Sequence, residues 1–426
     1  MSMGEVLFLA MGILIFINVP IAISIGLGTM VAIAFQGKIP MFIVAQRMFT
    51  GMDSFPLLAI PLFMIAGTLM ERGGISRRLI AFASSLVGNV WGGLGIISIL
   101  ACMFFAAISG SAPATVVAIG SIMIPAMIRE GYDKAFAVAL MAAGGTIGVI
   151  IPPSIPFVTY GITMNVSIGK LFAAGIGPGL LMGGALIIVC YFYSKKRGYR
   201  SSNTEQRHPF KAFLDAILGL MMPIIILGGI YGGVFTPTEA AAVACVYSLI
   251  VGACVYRELN FKQIYVCMYS AAVPAAMVML IIGCAQSMGW MLTTEQVPVK
   301  IAQFVADFTS SQFMLLMLIN VVLLIVGCLM ELNASIIILG PIFMPLIMKF
   351  GVDPVHFGVI MVVNMTIGLL TPPLGVNLFV ANGLRKDVSF KEIVLKVIPM
   401  LIALIIVLLI LTYVPQTSLF FADLLG

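Results

Sequence analysis

Residues 146–156 read TIGVIIPPSIP, and residues 366–373 read TIGLLTPP. Each pair of adjacent prolines removes two amide donors and pushes the residue before it out of helical geometry. The first stretch lies in an apolar run from Ala135 past Thr159. In hydrocarbon a lost backbone hydrogen bond costs several kcal/mol unless protein, water or an ion replaces it. A membrane helix interrupted in this way needs a compensating function.

The hydrocarbon setting follows from composition. Of 426 residues, 62% are hydrophobic and 9% charged, with a mean hydropathy of +1.18. Soluble chains carry roughly a quarter charged residues. Apolar stretches long enough to span a bilayer recur along the chain, so an all-α polytopic membrane protein is expected. The N-terminal segment lacks a basic region and a small-residue cleavage site and reads as a first span, not a signal peptide. The seven cysteines sit in apolar runs without a CxxC pair and read as small hydrophobes. The net charge of +6 is distributed as a topology signal and implies no nucleic-acid partner.

The two proline stretches are related by an offset of 220, which also pairs Ala114 with Ala334, Gly120 with Gly340, Pro125 with Pro345, Gly131 with Gly351 and Asp133 with Asp353. The match needs no gap over about 45 residues, so the chain reads as two repeats, 1–200 and 213–426, joined by a basic loop at 201–212. In the first half we expect scaffold spans over 4–71, an amphipathic arm at 75–90, a hairpin at 98–128, a broken span at 134–164 and a span at 170–193. The second half repeats this order, with scaffold spans 213–284, arm 297–310, hairpin 313–348, broken span 354–384 and span 393–414. The arms carry Ile75, Leu79, Phe82 and Leu86, and Ile301, Phe304, Val305 and Phe308, at helical spacing. Short arms around the polar tips ISGSAPA (108–114) and LMELNA (329–334) suggest re-entrant hairpins, because 98–108 would reach only roughly 16 Å.

Three spans, a hairpin and two further crossings make each half odd, so the repeats are inverted. Lys38, Arg47, Lys170, Lys300 and Lys349 then lie on one side and the other 17 of the 22 basic residues on the opposite side. The positive-inside rule makes the richer side cytoplasmic, including loop 195–211, and both termini periplasmic.

Inverted repeats with broken helices build midplane sites in secondary transporters. Carbonyls freed at Gly148–Ile151 and Gly368–Thr371 suit a small hard cation, and helix starts at Ala114, Ser154, Ala334 and Leu374 suit an anion. Ser109, Ser111 and Asn333 add oxygen ligands; Glu331 either adds a charge or caps its hairpin. No tip or break contains Arg or Lys, so an anionic cargo needs co-bound cations, which motivates sodium coupling. Thr236-Pro237-Thr238-Glu239 reads as a capping box and Asp53 as a cap of the 56–71 span; His208 and His356 suggest no metal or catalytic site.

FAAISGSAPATVVAIGSIMIPAM (105–127), GGTIGVIIPPSIP (144–156), GGVFTPTEAAAV (232–243) and LLTPPLGVNLF (369–379) resemble the large membrane subunit of tripartite ATP-independent periplasmic (TRAP) transporters over essentially the whole chain. The resemblance implies an ion-transporter-superfamily fold and an elevator mechanism in the bacterial inner membrane. It also implies sodium-driven import of an organic acid, such as a C4-dicarboxylate or sialic acid, with overall resemblance leaning to the latter. A periplasmic substrate-binding protein would deliver the acid, with a small four-helix membrane subunit and surrounding lipid as further partners. The small subunit is expected as a separate polypeptide, since this chain starts directly at the large one.

Carried over by motif, one sodium site uses Ser109, Gly110 and Ser111 with Gly148, Ile151 and Pro152, and the other Glu331 and Asn333 with Gly368, Thr371 and Pro372. The substrate-facing set is Ser111, Pro113, Ser154, Asn333 and Asn377. Ala112-Pro113 departs from the small residue that many relatives have after the SGS tip, which bears on tip stiffness. Sodium is the coupling ion, and no other cofactor is implied. An intramembrane enzyme lacks a constellation of acid, base and nucleophile here, and a channel lacks a continuous polar stripe. A stand-alone sodium–dicarboxylate symporter is the nearer alternative.

Overall fold

The computed structural model describes residues 2–37, 39–87, 90–200, 209–300, 303 and 311–425, and regular structure among them is helical. Nine of the described helices are long and apolar enough to cross a membrane, consistent with a multi-pass membrane protein. Three of the described helices start with reciprocal caps: Ser2 with Glu5, Thr236 with Glu239 and Asn260 with Gln263 exchange side-chain and backbone bonds.

One body is built from α1 (Met3–Phe16), α2 (Ile21–Gln36), α3 (Phe42–Met52), α4 (Ala59–Arg72), α11 (Pro209–Tyr231), α12 (Pro237–Ile250) and α13 (Phe261–Thr294), with α13 packed on α2, α3 and α4. The arm α5 (Ile75–Leu86) lies against α11 and against α6 (Gly93–Ser109). The other body holds the hairpins and the broken helices. Hairpin one is α6 (Gly93–Ser109) and α7 (Ala112–Arg129); hairpin two is α14 (Gln312–Leu329) and α15 (Leu332–Lys349). The first broken helix is α8 (Lys134–Gly145), a 3-10 turn at Thr146–Val149, and α9 (Ile155–Met164). The second is α16 (Pro354–Gly368) and α17 (Val376–Gly383). Helices α10 (Ile168–Arg197), α18 (Phe390–Tyr413) and α19 (Gln416–Leu425) pack around them.

Both Pro-Pro bonds, Pro152-Pro153 and Pro372-Pro373, are cis, and the helix stops ahead of each. The helix beyond each break packs on the hairpin of the opposite half: α9 on α15, and α17 on α7.

Several expectations are corrected. Arm α6 has 17 residues, not 11, and so measures about 25 Å; Gly92, Gly93 and Gly95 mark its start, and Cys190 packs at Gly95. The tips lie inside the fold because they pack beside the breaks, not because their arms are short. Helix α3 adds a short helix within the 4–71 scaffold stretch, α13 continues ten residues past the expected end at 284, and α19 follows the last span. Asp53 caps nothing at the start of the next span: it ends α3, and Ser54 precedes the following turn without a side-chain bond. The helices after tips and breaks start at Ala112, Ile155, Leu332 and Val376 instead of Ala114, Ser154, Ala334 and Leu374. Residues 301, 302 and 304–310 of the second arm, including Ile301, Phe304, Val305 and Phe308, fall outside the described residues, as does most of loop 201–212.

Ion pairs gather residues of the larger basic set. Arg77 and Arg78 share Glu258 at 2.8 Å, Lys134 and Arg385 share Asp387, and Lys396 meets Asp133 at 3.2 Å. Hydrogen bonds from Lys134 and Arg385 hold the Asp387 carboxyl at about 2. Burial pushes Asp133 up, but the Phe136 amide and Lys396 outweigh it and hold its carboxyl below the usual range.

Candidate functional site

A cavity of about 710 Å³ lies between the two bodies. One wall comes from the starts of α2 and the end of α4, with Ser270 to Ile281 of α13; the other comes from both hairpin tips and residues flanking both breaks.

At the first tip, α6 ends at Ser109 and Gly110 turns the chain with φ 58°, a left-handed conformation glycine adopts without strain. Ser111 caps α7 by accepting the Ala114 amide. The Ser109 and Thr115 hydroxyls are 2.9 Å apart, and Thr115 donates to the Ser111 carbonyl at 2.9 Å. Gly148 of the first break lies so close that a Cβ there would collide with the Thr115 hydroxyl and stand 2.7 Å from the Ser111 carbonyl oxygen. The break therefore packs directly against the tip's Thr115 hydroxyl and Ser111 carbonyl.

The second tip repeats the plan. Glu331 caps α15 by accepting the Ala334 amide at 2.9 Å, and Ser335 donates to the Glu331 carbonyl at 2.9 Å. Ser111 and Glu331, and Thr115 and Ser335, are each 220 apart. A Cβ on Gly368 would overlap the backbone of Gly327 and come within 2.9 Å of the Cys328 nitrogen. The Cys328 thiol donates to the Thr371 carbonyl at 3.1 Å, and the Thr371 hydroxyl to Ile367 O at 2.9 Å. Glu331 thus acts here as a cap, and its other oxygen accepts from Asn333 Nδ2 at 2.8 Å.

Of the named residues, Ser109, Gly110, Ser111, Pro113, Glu331 and Asn333 line the cavity. Gly148, Ile151, Pro152, Gly368, Thr371 and Pro372 stand behind it in the breaks. Ser154 is buried, its hydroxyl donating to Val149 O at 2.5 Å and accepting the Phe157 amide. Asn377 is also buried away from the cavity; its amide reaches Ala142 O of the opposite half at 3.4 Å, and its Oδ1 has no partner among the described residues. An orphaned carbonyl oxygen of this kind suits a cation better than a carboxylate.

Sequence reasoning missed Thr115, Thr159 and Asn364. The 220 offset identifies Thr115 through Ser335. Thr159 of α9 donates to Asn333 Oδ1 at 3.1 Å across the halves. Asn364 donates to Asn320 Oδ1 at 2.8 Å, and Asn320 to Thr412 at 2.9 Å, inside helices whose apolar neighbours hide them. Among the described residues the cavity lining includes Glu71 and Glu331 and no basic side chain. A bare anion would meet only carboxylates and dipoles there.

The family model for the tripartite ATP-independent periplasmic transporter, DctM component, matches residues 8–417. The isethionate TRAP transporter permease protein DctMQ of Oleidesulfovibrio alaskensis is 49% identical over 421 residues, which cover 98% of this chain and 66% of that protein's length. The C4-dicarboxylate TRAP transporter large permease protein DctM of Pseudomonas aeruginosa is 45% identical over 384 residues, 90% of each chain. The sialic acid TRAP transporter large permease protein SiaM of Vibrio cholerae is 38% identical over 96% of each. The crystal structure of the Alcanivorax borkumensis YdaH transporter shares the fold at 15% identity, with a TM-score of 0.62 over 87% of this chain and 86% of that one.

Proposed function

The chain belongs to the DctM component family of tripartite ATP-independent periplasmic transporters, and from that premise we propose that it imports a small organic acid across the bacterial inner membrane, driven by sodium, by an elevator motion. The observation that carries this reading is the single cavity onto which both hairpin tips open. In this reading sodium enters first. The Ser109–Ser111 tip with the Gly148–Pro152 break holds one ion, and the Glu331–Asn333 tip with the Gly368–Pro372 break holds another. Their charge offsets Glu71 and Glu331, and the acid then binds at the tips beside Ser111, Pro113 and Asn333, which line the cavity.

The body holding the tips then slides along α4 and α13 and carries the cavity from one side to the other. Gathering of the ion pairs from the larger basic set supports a cytoplasmic end there and periplasmic termini. A periplasmic binding protein would supply the acid and a small membrane subunit would brace α1 to α4. Relatives are named for isethionate, C4-dicarboxylates and sialic acid, so the cargo is read as a small organic anion of that kind.

The test is uptake by proteoliposomes holding the chain and both partners, with isethionate, succinate, 2,3-diketo-L-gulonate and sialic acid offered under an inward sodium gradient. Uptake of one acid that needs both sodium and the binding protein is the expected result. Uptake without the binding protein would favour the stand-alone symporter, and uptake indifferent to sodium would sink the coupling.

A further inference from the structure

A second cavity, of about 420 Å³, begins where the first ends. Along α13 the first cavity is lined as far as Ile281 and the second by residues from Ala285 to Thr293; along α15 they are lined by Glu331–Asn333 and by Ile337 and Pro341. The second therefore starts about one helical turn beyond the second tip. Its chemistry is the opposite of the first. Arg47 of α3 places its guanidinium 5.2 Å from the centre of the Trp290 ring and makes no ion pair with any described residue. Gln286 also lines this space, and it fits against α3 only because Gly51 has no Cβ, which would overlap the Gln286 side chain.

We propose that Arg47, Gln286 and Trp290 form a carboxylate-receiving site that the organic acid occupies before it reaches the hairpin tips. A guanidinium presents parallel N–H groups to a carboxylate, and the indole below fixes its plane. The Gln286 amide adds a donor. Thr50, Thr163 and Thr293 add polarity but no free donor, because their hydroxyls already donate to Gln46 O, Thr159 O and Gly289 O. From this site the onward path is marked: Thr163 bonds the backbone of Thr159, whose hydroxyl bonds Asn333 at the tip. A fixed cation suits this place because it belongs to α3, outside the body that carries the tips. It draws the anion toward a cavity whose charged lining among the described residues is Glu71 and Glu331, and it does not travel with the cargo.

The inference rests on the transport reading above, and the experiment separates the two. In proteoliposomes with both partners, uptake of whichever of the four acids the wild type carries is measured against acid and, separately, against sodium. Arg47→Gln should raise the KM for the acid roughly tenfold or more, and Gln286→Ala severalfold, with half-saturating sodium unchanged within twofold. Arg47→Lys should fall between, since an ammonium keeps the charge but loses the paired geometry. Recovery of each variant in complex with the small subunit checks folding. An unchanged acid KM in Arg47→Gln overturns the proposal. So does an effect seen only in vesicles containing phosphatidylglycerol and absent in phosphatidylcholine, which assigns Arg47 to a lipid headgroup. Failure of the wild type to carry any of the four acids overturns the transport reading itself, and this inference with it.

Discussion

The hydroxyl of Thr159 donates to Asn333 Oδ1 at 3.1 Å, so the helix beyond the first break holds the tip of the second hairpin. The bond spans 174 positions of sequence and is buried. It fixes the asparagine so that its amide bonds Glu331. Thr159→Val leaves Asn333 with an unsatisfied oxygen, at a cost of about 1–3 kcal/mol. The expected outcome is a roughly tenfold rise in half-saturating sodium at normal expression, measured by uptake in proteoliposomes.

The same measurement tests the tip ligands directly. Ser111→Ala and Asn333→Ala should each raise half-saturating sodium roughly tenfold. Ser248→Ala should not, because that hydroxyl only donates to Ala244 O within α12. Unchanged sodium dependence in both tip variants would mean that the breaks serve as hinges alone.

The breaks tolerate no added carbon. Gly368→Ala must push the Gly327 backbone away, and Gly148→Ala must push Ser111 and Thr115. Uptake should fall at least tenfold in each, with the complex still recovered, because about 1.4 kcal/mol of misalignment suffices for that factor. Full activity in either variant would separate tip from break.

Sliding predicts a change of neighbours along α4. The Phe63 ring lies 6.2 Å from that of Phe172 on α10. In a background lacking the exposed Cys254, Phe63→Cys with Phe172→Cys should be bridged by a short bifunctional reagent and transport should stop. Ala59→Cys, about 6 Å further along the helix, should be bridged to the same partner only in the other state. One fixed pairing under all conditions would argue for gating instead.

At the charged end, the depressed Asp387 carboxyl has a signed consequence. A folded value of about 2 lies below the ordinary 3.8, so its stabilisation is present above pH 4 and is lost as pH falls toward 2. Asp387→Asn should lower the Tm of the purified protein slightly at pH 7, and the difference from wild type should vanish near pH 2. The pair is exposed, with Lys134 at 53% and Asp387 at 46%, so salt should shrink the effect. A gap that persists at pH 2 would show another cause.

Much of the core was legible because its signals are local. The paired prolines at 152–153 and 372–373 stop their helices where single prolines such as Pro125, Pro178 and Pro274 do not, and Ser109–Ser111 and Glu331–Asn333 are polar islands in apolar runs. The 220 offset then located partners that single residues do not reveal. Helix α3 was not legible: in FIVAQRMFTGM the polar Gln46, Arg47 and Thr50 break an apolar run too short to span, and its helical state depends on packing against α13. Asp53 looked like a cap because the residue type fits, but the chain turns one residue later. Thr159 and Asn377 had no sequence signal as cross-links, since their partners lie in the other repeat.

That exchange, α9 on α15 and α17 on α7, works like a dovetail joint. A hairpin cannot swing open by itself without dragging the strut that the other half has lodged against it. Force applied at either tip is shared by both halves, so the two tips, built from separate stretches of chain, are braced by each other's half. Severing the connection between the repeats and expressing the halves apart should leave each without the piece that braces its own tip, and only co-expression should restore the pair.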